Sequence, residues 1–196
     1  MGYDKYSEIT PYISSLADLA RGEGAISANL YEKYKVNRGL RDLNGKGVLT
    51  GLTEISEVKS SEERDGVSVP CEGKLYYRGY DVNDLVRGFT GDGRFGYEEC
   101  VYLLLFGVLP NKKELDDFTA HIESLRTLPS SFVRDIILKA PSRDMMNSIT
   151  RSILQLYSYD EKADDTSIPN VLRQCLNLIS QFPMLMVYGY HAYNYR

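Results

Sequence analysis

Tyr97-Glu98-Glu99-Cys100-Val101-Tyr102-Leu103-Leu104-Leu105-Phe106-Gly107-Val108-Leu109-Pro110 is the stretch on which the fold class turns. The unbroken apolar run from Val101 to Phe106 suits either a buried strand or a helix buried on all sides. The Glu98-Glu99 pair favours the helix, because carboxylates are stabilised at the partly positive N-terminus of a helix. Gly107 and Pro110 supply the stop.

Downstream the period stays helical. Asn111 and Glu114 have capping-box spacing, and the helix they open carries Leu115, Phe118, Ile122 and Leu125 on one face. Phe132, Val133, Ile136 and Ile137 mark a short helix closed before Pro141. From Ser142 to about Tyr157, the side chains of Met145, Met146, Ile149, Ile153, Leu156 and Tyr157 fall within roughly a third of a helix circumference. The acidic run Asp160 to Asp165 reads as a solvated loop. Ser167 and Pro169 then announce a last helix, Ile168 to beyond Tyr190, with a kink expected at Pro183.

Upstream the signals weaken. Asp81 suits the N-cap of a helix over Val82–Arg87, with Gly88 as its stop. Leu52, Ile55 and Val58, then Val67 and Val69, flank the polar tract Lys59–Gly66. Asp65-Gly66 is a turn signal. These predict a small β-hairpin, with a further strand at Lys74-Leu75-Tyr76-Tyr77. Gly39, Gly45, Gly47 and Gly51 crowd an irregular connector. Before it, Ile13, Leu16, Ala17 and Ala20 predict a helix over Pro11–Ala20, and Ile26 and Leu30 a second from Ala25 to about Tyr34. The fold class is therefore mainly α with one small β element. Residues 1–35 read as an N-terminal helical arm and 36–196 as part of a larger helical domain.

Composition narrows the function classes. The 196 residues carry 23 Lys plus Arg against 27 Asp plus Glu, a net charge of -4. That balance offers no basic footprint for nucleic acid. No apolar run has the length to cross a bilayer. The polar, mixed-charge start is not a secretory signal. Three cysteines, Cys71, Cys100 and Cys175, lack C-x-x-C spacing, which argues against a disulfide framework or a zinc site. A cytoplasmic, reducing compartment is expected. Tyrosine is abundant, at 16 residues, with six after position 150.

Local chemistry is sparse. The two histidines, His121 and His191, have no Cys, Asp or Glu partner at metal-ligand spacing and read as structural. Gly45-Lys46-Gly47 lacks the spacing and the preceding strand of a phosphate loop. Asp160, Glu161, Asp164 and Asp165 lack EF-hand spacing. The residues alone nominate no catalytic, cofactor-binding or metal site.

Three stretches carry a resemblance. They are Arg38-Gly39-Leu40-Arg41-Asp42 with Gly45-Lys46-Gly47-Val48 and Gly51-Leu52-Thr53-Glu54-Ile55-Ser56; Gly73-Lys74-Leu75-Tyr76-Tyr77-Arg78-Gly79-Tyr80-Asp81; and Tyr97 to Pro110, continued by Glu114-Leu115. In this order and spacing they resemble the N-terminal half of citrate synthases, over roughly Val36 to Arg196. The resemblance implies a multi-helical large domain of a homodimeric enzyme that condenses acetyl-CoA with oxaloacetate and hydrolyses citryl-CoA. It implies an aspartate and two histidines as proton carriers, arginines for the substrate carboxylates, and no metal or redox cofactor. Those residues belong to G-x-x-H-G-G-A-N and G-x-G-H-x-V-Y stretches and an aspartate region, none of which occurs here. No catalytic role transfers to His121 or His191. Ala140-Pro141-Ser142 also stands where many relatives have His-Pro-Met.

The expectation is an N-terminal fragment of a citrate synthase, inactive alone, without the small domain. The alternatives are a 2-methylcitrate synthase using propionyl-CoA, or a non-catalytic helical dimerisation module. A homodimer is expected through the helices about 142–157 and 168–190, whose apolar residues cover more surface than one neighbour can bury.

Overall fold

The computed structural model describes residues 7–23, 26–36 and 51–195. The glycine-rich connector from 37 to 50, with most of the first resembling stretch, lies outside the described residues. The chain divides into two compact units, one combining residues up to Asp18 with those from Asp116 onward, the other running from Leu19 to Leu115.

In the Leu19–Leu115 unit, helix α2 (Ala28–Lys33) is shorter than its periodicity suggests and buries none of its residues. A three-stranded antiparallel sheet follows in the order β1-β2-β3: β1 (Ser56–Arg64), β2 (Val67–Tyr77) and β3 (Tyr80–Asp81). The hairpin is longer than expected. The polar tract Lys59–Arg64 is itself strand, and Lys74–Tyr77 continues β2 rather than forming another strand. Most of β1 is exposed, so its residues need no apolar–polar alternation, and period-2 reading has nothing to detect.

Both sheet turns are two-residue links with positive φ at each central position. Asp65 (φ 53°) and Gly66 (φ 75°) join Arg64 to Val67, and Arg78 (φ 48°) and Gly79 (φ 86°) join Tyr77 to Tyr80. Such turns match the twist of the strands they connect, and Asp-Gly is a preferred sequence for them. Asp81 then caps α3 (Val82–Gly91), accepting from the Asn83 N–H at 2.8 Å. Gly88 does not stop this helix. It lies inside α3 with open space around its Cα, and the chain leaves the helix at Asp92.

The decisive stretch forms α4 (Tyr97–Phe106), with Glu98 and Glu99 in its first turn and Gly107 in the left-handed conformation at its end. Tyr102, Leu103 and Phe106 are buried, and beyond Tyr97 no residue of the helix is fully exposed. Arg94 ties the entry together through Asp92 at 3.1 Å and Glu99 at 2.5 Å. At the exit, the Arg78 guanidinium donates twice to the Leu104 carbonyl, at 3.2 and 3.1 Å. Asn111 and Glu114 form the reciprocal box: the Asn111 N–H donates to Glu114 Oε2 at 2.8 Å and the Glu114 N–H to Asn111 Oδ1 at 3.0 Å. The helix they open is α5 (Lys112–Ser124).

In the other unit, α1 (Pro11–Glu23) contributes Ile13, Leu16 and Ala17 to the buried core, and Thr10 Oγ1 caps it by accepting from the Ile13 N–H at 3.2 Å. Phe118 and Ile122 are the buried positions of α5. The expected short helix near Phe132 is a π-helical turn, Val133–Ile137, entered through Ser131 at φ 66°. Helix α6 (Met145–Leu156) starts later than expected because Asp144 caps it, accepting from the Asn147 N–H at 3.0 Å. A single 3-10 turn, Tyr157–Tyr159, ends it. Helix α7 spans Ile168–Asn194 with Pro183 in its interior. Phe132, Ile137, Leu185 and Ala192 form a core cluster, with Ile153, Leu156 and Tyr159 packed against it.

Candidate functional site

A cavity of about 280 Å³ opens between α6, the acidic loop and α7, lined by Ile153, Leu154, Leu156, Tyr157, Leu178 and Pro129 on its apolar side. Its polar wall is Asp160, Arg173, Gln174, Asn177 and Gln181. The volume is just below the range usual for small-molecule pockets.

Asp160 organises the polar wall. Its Oδ2 accepts from Arg173 Nη2 at 2.6 Å and Gln174 Nε2 at 3.1 Å. Its Oδ1 accepts from Ser7 Oγ and from the Lys162 N–H, both at 3.0 Å. Burial alone would raise the Asp160 carboxyl, but the bonds from Arg173, Gln174, Lys162 and Ser7 outweigh it and hold the group below the usual carboxylate range. Arg173 is only 3% exposed and also donates to Asn170 Oδ1 from Nε at 3.0 Å and Nη2 at 2.8 Å. Asn170 in turn donates to the Lys162 and Asp165 carbonyls at 2.8 and 2.7 Å. The two charges are thus matched to each other, and the Asp160 carboxyl, held low, is not poised to exchange a proton near neutral pH. The wall suits binding or support, not acid–base chemistry.

This corrects the reading of the acidic run as a solvated loop. Glu161, Asp164 and Asp165 are exposed, but Asp160 is the centre of a half-buried network. The available signal was that α7 carries a single Lys, Arg, Asp or Glu, namely Arg173. A lone charge in an apolar helix calls for a buried counter-charge.

The histidines stay apart from this wall. The His121 ring meets Tyr12 edge-on at 4.9 Å, and its Nε2 is buried without a hydrogen-bond partner among the described residues. Burial lowers its pKa. His191 stacks on Tyr195 at 5.7 Å and meets Tyr190 edge-on at 5.9 Å. Burial pushes the Cys175 thiol up, which makes it a poor nucleophile. Among the described residues, no three His, Cys, Asp or Glu side chains gather as metal ligands, and no helix is long and apolar enough to cross a membrane.

The sequence family model described as "Citrate synthase, C-terminal domain" matches residues 40–196. The chain belongs to the citrate synthase family. Among similar curated proteins, the citrate synthase of Haloferax volcanii is 35% identical over 132 residues, covering 66% of this chain and 29% of that protein. The citrate synthase of Saccharolobus solfataricus is 35% identical over 90 residues, 46% of this chain and 22% of the relative. The 2-methylcitrate synthase 1 of Corynebacterium glutamicum is 27% identical over 152 residues, 78% and 34% respectively. The chain therefore spans between 22% and 34% of the length of these three citrate synthase family members. The crystal structure of citrate synthase from Pyrobaculum aerophilum shares the fold, with a TM-score of 0.59 at 24% identity, over 78% of this chain and 38% of that one. The mainly helical architecture with one small antiparallel sheet is thus a citrate synthase fold, as the sequence predicts.

Proposed function

We propose that this chain is the N-terminal part of an enzyme that condenses an acyl-CoA with oxaloacetate, using no metal or redox cofactor. The family match over residues 40–196 supports the enzyme class, and the order of the three quoted stretches supports the N-terminal placement. Acetyl-CoA is the preferred donor in this proposal, giving citrate in the tricarboxylic acid cycle, and the alternative is propionyl-CoA, giving 2-methylcitrate. Relatives of both names support the family and leave the donor open. Three free cysteines suit a cytoplasmic, reducing setting. The test is release of CoA from each donor with oxaloacetate, for the full-length protein and for this chain alone. Turnover by the full-length protein with neither donor would overturn the proposal, as would turnover by this chain alone above a heat-killed control.

The enzyme acts, in this proposal, as a homodimer joined through α6 and α7. One stripe at helical spacing along α7, Ile168, Val171, Phe182, Met186 and Tyr190, is apolar or aromatic and exposed, as are Met146 and Leu154 on α6. The only Lys, Arg, Asp or Glu of α7 is buried, so this face of the helix is uncharged. Such a face is rare on a monomer and typical of interface cores. Ile149 and Ile153 turn inward instead, so they report on the monomer's own core. Val171→Asp with Met186→Asp is expected to convert the dimer to monomer in sedimentation. A wild-type chain that is a folded monomer at micromolar concentration would rule the dimer out.

A further inference from the structure

Ser7 stands 153 residues from Asp160 in sequence and is only 4% exposed. Its hydroxyl does two things at once: it donates to Asp160 Oδ1 at 3.0 Å and accepts from the Glu161 N–H at 2.8 Å. The acidic loop has few other ties on this side. Its other outward bonds run to the opposite side, from Asn170, Arg173 and Gln174 of α7 and from Tyr157, and others are internal, such as Lys162 N–H to Asp160 Oδ1 and Asp165 N–H to the Lys162 carbonyl at 3.2 Å. Behind Ser7, Ile13, Leu16 and Ala17 are buried to 5% exposure or less. The segment therefore has an apolar anchor in α1 and a polar latch at Ser7.

We propose that the segment Ser7–Asp18 is a strap that pins the acidic loop Asp160–Asp165 and thereby sets the shape of the cavity's polar wall. Asp160 and Ala163 of that loop line the cavity, and Asp160 positions Arg173 and Gln174 from above. With the strap in place, Asp160 Oδ1 and the Glu161 N–H are both satisfied without solvent. With the latch removed, both turn to water, and the loop gains freedom on the strap side while Asn170, Arg173 and Gln174 still hold its α7 side. The strap is a positioning device, and it acts whether or not the chain takes part in catalysis.

The test is amide hydrogen exchange on the full chain, comparing Ser7→Ala with wild type and with Ser15→Ala, whose hydroxyl bonds only the carbonyl of Tyr12 in its own helix. Ser7→Ala is expected to speed exchange across Glu161–Asp165 by about fivefold, the ratio corresponding to one ordinary hydrogen bond. Exchange in the β1–β2 hairpin is expected to stay unchanged, as is the loop in Ser15→Ala. Loop exchange at the wild-type rate in Ser7→Ala would overturn the strap. A rise in Ser7→Ala matched in the hairpin would do the same, since it would report general loosening.

Discussion

Arg78 ends the helix that Leu104 belongs to. The guanidinium reaches 26 positions along the chain from the β2–β3 turn and donates from Nε and Nη2 to the Leu104 carbonyl, an acceptor that α4 leaves open in its last turn. The cation also complements the partly negative helix end. Because Arg78 sits at φ 48°, two substitutions separate the contact from the backbone. Arg78→Ala keeps the left-handed strain and loses the bond, and is expected to cost about 1.5–3 kcal/mol by urea denaturation. Arg78→Gly loses the same bond but relieves the strain, and should be less damaging by about 1 kcal/mol. Equal losses in the two variants would show that the backbone at Arg78 is unstrained.

Asp81, three residues on, is a cap. Its carboxylate takes both the Asn83 N–H and Asn83 Nδ2, at 2.8 and 3.0 Å. Asp81→Ala should lower stability by about 1 kcal/mol, and Asp81→Asn by much less. In the full-length enzyme proposed above, Michaelis constants should be unchanged by either. A large rise in KM at constant melting temperature would instead place Asp81 at substrate.

Gly189 sets how closely α6 and α7 approach. A Cβ there would lie 3.2 Å from Met145 Cε and 3.4 Å from Ser148 Oγ. The Met145 terminus is flexible and can give way to one methyl, so Gly189→Ala should be near neutral, helped by better helix propensity. Gly189→Leu cannot be accommodated this way and should cost about 1–3 kcal/mol through overpacking. Thermal unfolding of the pair decides it: a Leu variant as stable as the Ala variant would mean the helices are loosely packed here.

Acid should weaken the fold in two steps. His121 is held neutral by burial, with its folded pKa below the ordinary 6.5. The unfolded chain therefore binds the proton first, and stability falls as pH drops below 6.5 toward the folded value. His121→Phe keeps a ring against Tyr12 and should remove this step. Asp160 acts lower: its folded pKa lies below 3.8, so its contribution is complete above that value and is lost as pH falls through the folded one. Urea midpoints measured from pH 7.5 down to 5 test the first step. An unchanged slope in His121→Phe would assign it to another group.

What the sequence disclosed follows from how local each signal is. The Asn111–Glu114 box, the Asp81 cap and the Glu98-Glu99 entry to α4 involve groups within a few residues, so spacing alone reveals them. Asp65-Gly66 announces its turn and a hairpin around it, but the extent of β1 through Lys59–Arg64 is hidden, because an exposed strand has no buried face to impose alternation. Gly88 misled because glycine weakens a helix without ending it when the flanking turns hold. The Asp160–Arg173 wall is legible only as the lone charge Arg173: its other parts come from Ser7 and a loop, and no spacing rule says which residues answer that charge. Legible from the apolar pattern was that α6 and α7 carry more hydrophobic surface than a single seam. Which residues face in, such as Ile153, and which face out, such as Met186, needed the packing.

The contact between Ser7 and Asp160 also has a history within each round of translation. At 5–20 residues per second, the ribosome needs about 8–30 s to add the 153 residues that separate them. The two-residue turns of the sheet can close in microseconds as soon as they emerge. During the whole of that wait, the Ser7 hydroxyl has neither the Asp160 carboxylate nor the Glu161 N–H to bond. The latch is therefore among the last ties of its unit to close, and until the acidic loop emerges Ser7 keeps its hydroxyl in water.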